Sequence, residues 1–185
     1  MIKKYKELVN IKKYRVKGIF HSELYLFWTL AKSLKVNRIV ESGTFHGFTA
    51  NRLARLFPEC EIYTYEYKKD RYDKALRNCN SRVKVFHGEL DQSVLTSKTA
   101  LLIDGPKDMR AIRLTEDVID KVAMVGLHDM DIHIDALTER FGEVVHSGVP
   151  EKAAKKLDKF IPKEKRKYTK GYYGRVLACV WEKKG

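Results

Sequence analysis

The sequence predicts an α/β fold, a doubly wound and mostly parallel sheet of about seven strands with an antiparallel last strand. Three observations predict it. Between residues 36 and 131 short apolar runs alternate with stretches of helical period, the order that lays helices on both faces of a parallel sheet. The first run ends in a turn carrying two glycines and passes straight into a helical pattern, Ile39 to Ala50. The chain closes on Gly-Arg-Val-Leu-Ala-Cys-Val-Trp, 174–181, an apolar run suited to a buried strand. At 185 residues a single domain, 1–185, is the simplest reading, and it can bury a core without disulfides or metal.

Residues 1–35 read as a basic, tyrosine-dotted arm followed by a helix. Leu24, Phe27, Trp28, Ala31 and Leu34 recur at helical spacing between His21 and Leu34, so this helix faces the core. Strands are expected at Arg38–Glu41, Glu61–Tyr67, Val83–His87, Ala100–Asp104 and Met124–His128. Helices are expected near 47–57, 69–79, 91–97 and 107–122, the last marked by Met109, Ile112, Glu116, Ile119 and Val122. In 132–185 a helix at Asp135–Phe141 leads to a strand at Glu143–His146. A lysine-rich connection, 151–170, with its most mobile part at Lys163–Lys167, then precedes the closing strand, which is expected to pair antiparallel.

Charge is unevenly spread along the chain. Residues 1–17 hold seven Lys/Arg and one acid, 18–150 hold eighteen and nineteen, and 151–185 hold twelve and four, so a near-neutral middle carries two basic ends. Such ends can attract nucleic acid or another polyanion; they also suit a lysine-rich solvated surface, and no nucleic-acid motif accompanies them. Three cysteines without metal spacing (Cys60, Cys79, Cys179) and the lack of a leader or a long apolar run predict a cytoplasmic protein with no membrane partner.

The turn at 39–50 is where chemistry is expected. Gly43 and Gly47 permit left-handed backbone and close approach of a ligand, and the helix beginning near Gly47 offers unpaired N–H groups and a positive dipole end. Further polar groups end the following strands in register. Glu66, nineteen residues beyond Gly47, is placed to accept both hydroxyls of a ribose; Gly88-Glu89 ends the third strand, and Asp104-Gly105-Pro106-Lys107 the fourth. Tyr67, beside Glu66, can flank an adenine. His46 has two readings, a residue facing the bound ligand or its reaction partner and a solvent-facing turn residue, of which the second is preferred.

Taken together, Glu-Ser-Gly-Thr-Phe-His-Gly-Phe-Thr, Glu66, Gly88-Glu89 and Leu-Ile-Asp-Gly-Pro-Lys-Asp resemble the class I S-adenosylmethionine-dependent methyltransferases, closest to the small catechol and caffeoyl-coenzyme-A type O-methyltransferase branch. The resemblance covers residues 36–131 and implies a Rossmann-like methyltransferase whose cofactor is S-adenosyl-L-methionine. It places Glu41, Gly43, Thr44, Phe45 and Gly47 around the methionine part, Glu66 on the ribose, and Gly88 and Glu89 near the adenine. It makes Lys107 the base that deprotonates an acceptor hydroxyl and implies a divalent cation such as Mg2+ on Asp104 and Asp129; from the residues themselves, Asp104 is the second choice of base and Asp131 a further oxygen that can help hold the cation. The branch has an Asp-Asn pair after the fifth strand, whereas this chain reads His128-Asp129-Met130-Asp131. Strand alternation sends His128 and Asp129 to opposite faces, which speaks against zinc.

The expected activity is O-methylation of a small-molecule or sugar-like hydroxyl. An RNA-binding protein or RNA methyltransferase using the basic ends is the alternative. An NAD-binding oxidoreductase is a second one, against which stands Phe45 at the middle glycine of Gly-x-Gly-x-x-Gly.

Overall fold

A computed structural model describes residues 2–9, 19, 21–130, 133–147 and 177–182. Helices α1 (Ile2–Val9) and α2 (His21–Ser33) precede β1 (Arg38–Ser42), after which α3 (Phe48–Leu56), β2 (Glu61–Glu66), α4 (Lys69–Asn78) and β3 (Val83–His87) follow. Next come β4 (Thr99–Ile103), α5 (Met109–Val118), β5 (Met124–Leu127), α6 (Ile134–Phe141), β6 (Val145–His146) and β7 (Ala178–Val180). The seven strands form one sheet in the order β3-β2-β1-β4-β5-β7-β6. Strands β1 to β5 pair in parallel, and β7 lies antiparallel between β5 and β6, as the closing run predicts. The basic connection lies outside the described residues.

Alternation along the strands builds two cores. Ile39, Ala100, Leu102 and Met124 point to the layer that holds Leu24, Phe27, Trp28 and Leu53. Val40, Leu101, Ile103 and Val125 point to the other, with Ile112, Leu137 and Phe141. A strand buried on both faces reads as a continuous apolar run, which is why β4 is buried at all five positions. Helix α2 packs so closely that a side chain at Gly126 would come within 2.8 Å of Phe27. Trp28 adds a directed bond, its indole N–H donating to Leu56 O at 3.1 Å and tying α2 to the end of α3.

Two helix expectations change. Residues 91–97 form only a 3-10 turn, Gln92–Val94, because Asp91 accepts from Ser93 N–H and Thr99 Oγ1 takes Thr96 N–H; short polar side chains here bond the backbone locally instead of extending a helix. The 107–122 segment is helical over Met109–Val118 and ends in a 3-10 turn, Ile119–Lys121. Its buried face is Ala111, Ile112, Thr115 and Val118, whereas Met109 is exposed and Glu116 pairs outward with Arg140 at 3.0 Å. Leu34 likewise lies past the end of α2 and is exposed.

Topology positions the site. From β1 the chain winds outward through β2 to β3, then returns past β1 to β4 and β5, so connections diverge between β1 and β4. The strand ends are level there, Ser42 lying opposite Tyr65 and Ile103. A parallel sheet opens a crevice at such a point, on its carboxyl edge.

Candidate active site

A cleft of about 870 Å³ runs along that edge. Its volume suits an organic ligand of nucleoside size or larger. Of the residues predicted to bind a cofactor, Gly43, Thr44, Phe45, Glu66, Tyr67, Gly88 and Glu89 line it, as do Asp104, Lys107 and Asp129. Glu41 and Gly47 do not, and neither does His46. Asp131 lies outside the described residues.

Backbone geometry explains the glycines. Gly43 has φ +96°, and a Cβ there would meet the backbone of Gly105 at 2.6 Å, so this residue lets the ends of β1 and β4 approach. Gly47 has φ +81° and caps α3; its neighbour is the Cys79 thiol, 2.5 Å from where a Cβ would stand. Close approach at both positions is between parts of the chain itself. Between them Phe45 also takes a positive φ, 54°, its ring stacked on His46 at 3.9 Å with the Arg71 guanidinium 4.9 Å away.

Glu66 is held from behind. Its two carboxylate oxygens accept Phe45 N–H at 2.8 Å and Lys68 N–H at 2.9 Å, so the side chain is fixed at the cleft wall and ties the turn after β1 to the end of β2. Each oxygen retains a lone pair for another donor. Glu41 lies one layer deeper and is fully buried. Thr64 Oγ1 donates to its Oε2 at 2.6 Å, and Thr64 also meets Thr44 Oγ1, which reaches the cleft. Burial, assisted by the nearby Asp104 and Glu66 carboxylates, pushes the Glu41 carboxyl up to about 8.

The other end of the cleft is an ionic cluster. Lys107 Nζ lies 2.6 Å from Asp104 Oδ1, 3.0 Å from Asp129 Oδ2 and 3.1 Å from His128 Nδ1. That ring nitrogen is also 2.8 Å from Asp104 Oδ1 and 3.3 Å from Asp129 Oδ2. His128 and Asp129 therefore converge, contrary to the opposite faces that strand alternation predicts. The reason is local: β5 ends at Leu127, and Asp129 has φ +62°, a left-handed residue that breaks the two-residue period. Among the described residues, Asp104, His128 and Asp129 are the group whose donor atoms all lie within 4.8 Å of one another.

Sequence reasoning missed Glu23 altogether. It is completely buried on α2, one turn before Phe27, with Oε2 3.4 Å from His128 Nε2. An acid on the apolar face of a core helix was the available signal. Burial by itself would depress the His128 pKa, but hydrogen bonds to Asp104, Asp129 and Glu23 outweigh it and raise it to about 11. His128 is thus an imidazolium at neutral pH. Burial would likewise raise both aspartates, yet the hydrogen bonds and charges of His128 and Lys107 hold Asp104 and Asp129 below the ordinary carboxylate range. An ionised carboxylate only accepts, so His128 Nδ1 carries the hydrogen that Asp104 receives.

No protein-family model matches the chain. Solved structures do. Cofactor-bound Rv0187 from MTB aligns with a TM-score of 0.62 at 14% identity, over 97% of this chain and 88% of that one. An O-methyltransferase from Bacillus cereus, in complex with SAH, aligns at 0.58 and 14% identity over 98% and 90%. The tRNA (m1A58) methyltransferase TrmI from Aquifex aeolicus aligns at 0.51 and 20% identity, over 77% of this chain and 62% of that one. The likeness is one of fold: this chain has the Rossmann-like architecture on which the two named methyltransferases are built.

Proposed function

We propose that the chain is an S-adenosylmethionine-dependent methyltransferase that transfers the methyl group in line to a hydroxyl of a small-molecule or sugar-like acceptor. One observation carries the reading. A single cleft joins Glu66, a carboxylate fixed by two backbone N–H groups, to the Asp104–Lys107 pair two strands away. The fold shared with an O-methyltransferase solved with SAH supports it.

In this reading Gly43, Thr44 and Phe45 hold the methionine part, Glu66 accepts the ribose hydroxyls, and Tyr67, Gly88 and Glu89 border the adenine. Glu41 and Gly47 serve the same end from behind the wall, Glu41 by anchoring Thr64 and Thr44, Gly47 by permitting the turn against Cys79. The cofactor supplies an electrophilic methyl on a sulfonium. Lys107, an ammonium in the resting cluster, first gives its proton to solvent and then, as the neutral amine, takes the acceptor's proton as the methyl leaves the sulfonium for the acceptor oxygen. Asp104 and Asp129 then clasp the ammonium that results. Most of the rate comes from holding donor and acceptor in near-attack geometry.

RNA as the acceptor is the second reading, favoured by the cationic Lys68, Arg71 and Arg110 in the lining of the same cleft and by the basic ends of the sequence.

Calorimetric titration tests the cofactor. S-adenosylmethionine and S-adenosylhomocysteine are expected to bind and NAD not to; preference for NAD overturns the reading in favour of an oxidoreductase. Lys107→Ala is expected to lower methyl transfer by about 10²- to 10⁴-fold while cofactor affinity stays nearly unchanged. Loss of cofactor binding in that variant reassigns Lys107 to the binding site.

A further inference from the structure

The aspartates at the ends of β4 and β5 are where the resemblance places a divalent cation, yet their arrangement here is already filled. A cation bridging Asp104 and Asp129 needs a point close to one oxygen of each, and Lys107 Nζ occupies it at 2.6 and 3.0 Å. The third converging donor does not replace what the ammonium takes. His128 Nδ1 lies 2.8 Å from Asp104 Oδ1 and 3.1 Å from Lys107 Nζ, so it is already engaged on the side where an ion would sit. On the opposite side of the ring the buried carboxylate of Glu23 faces Nε2 at 3.4 Å. The fold therefore places the Lys107 side chain between the two carboxylates at this spot.

We propose that Asp104 and Asp129 hold the Lys107 side chain in place of a divalent cation, so that the site carries its positive charge on the chain itself. The physical case is competition for the same carboxylate oxygens. A divalent ion prefers several oxygen ligands and a full coordination shell, whereas here His128 and Lys107 share Asp104 Oδ1. Entry of an ion would have to expel the ammonium and leave it close to a second positive charge. The inference concerns the catalytic end of the site proposed above, but it is tested by metal binding without turnover, so the two can fail separately.

The experiment is titration of the metal-free protein with Mn2+, followed by the paramagnetic signal of free Mn2+ and by the melting temperature. Wild type is expected to take up no Mn2+ and to show no Mn2+-dependent shift in melting. Lys107→Met vacates the position and is expected to gain one Mn2+ per chain with a raised melting temperature; adding Asp129→Asn to it is expected to abolish the gain. Stoichiometric Mn2+ binding by the wild type overturns the proposal. So does failure of folded Lys107→Met to bind, which would show that the lysine is not what excludes the ion. Circular dichroism establishes that each variant is folded, and Lys107→Gln serves if Lys107→Met is not.

Discussion

Gly43 shows how a residue expected to admit a ligand admits the chain itself. At φ +96° with Gly105 N 2.6 Å from the place of a Cβ, Gly43→Ala is both strained and in collision with backbone that cannot rotate away. It is expected to lower stability by roughly 2–5 kcal/mol, read from chemical denaturation. Glu41 makes a different residue-level prediction. Burial raises its folded pKa to about 8, above that of an ordinary carboxyl, so in the window between the two the native state keeps a proton that the unfolded chain releases. Stability from this group therefore falls as pH rises through that window, by about 1.4 kcal/mol per unit at most. Glu41→Gln is expected to remove that slope, so melting curves of the variant and wild type should diverge in the variant's favour as pH approaches 8. The need for Gly43 was legible in the sequence; which atoms require it was not, because Gly105 is sixty-two residues away in the chain and adjacent only through strand pairing.

At the scale of elements, strands and helices were largely legible because their periods differ and the central strands β4 and β5 are buried along their length. The third strand, Val83–His87, has the predicted bounds, the other strands before the closing one shift by one or two residues at their ends, and the closing strand is Ala178–Val180 within the expected 174–181. The stretch at 91–97 was not legible, since Val94 and Leu95 suggest a helix while Asp91, Ser93, Thr96 and Thr99 bond the backbone locally. Arg82 is an element-level device that no period announces. From the turn before β3 its guanidinium donates to the carbonyls of Ala54, Phe57 and Pro58, supplying partners to the end of α3. Cations at a helix carboxyl end also complement its dipole. Arg82→Ala is expected to lower stability by about 1–2 kcal/mol, roughly 2–8 °C in Tm by calorimetry, with cofactor binding unaffected.

For the whole molecule, two cores on opposite faces of one sheet leave the carboxyl edge as the place where polar side chains gather. The basic ends stand apart from this architecture in the sequence. If they engage RNA, binding is electrostatic: log affinity falls linearly with log salt, with a slope of about −0.7 per phosphate contact on a single strand. Lys163→Glu, Lys165→Glu and Lys167→Glu together are expected to make that slope shallower without changing S-adenosylmethionine affinity, as read by fluorescence anisotropy across a salt series. A slope that does not change assigns RNA contact to the cationic cleft instead.

What the sequence by itself determined is the sheet, its direction of winding and the strand ends at which Glu66, Asp104 and Lys107 appear, because hydrophobic period and glycine position are local properties of the chain. The tertiary structure alone decided how those ends are used. Glu23, from a helix before β1, meets His128, and His128 and Asp129, from beyond β5, meet Asp104 and Lys107 because parallel strands end level and Asp129 leaves the strand period at φ +62°. Charge pairing of this kind depends on distances of three ångströms between residues scores of positions apart, and no local pattern encodes such distances.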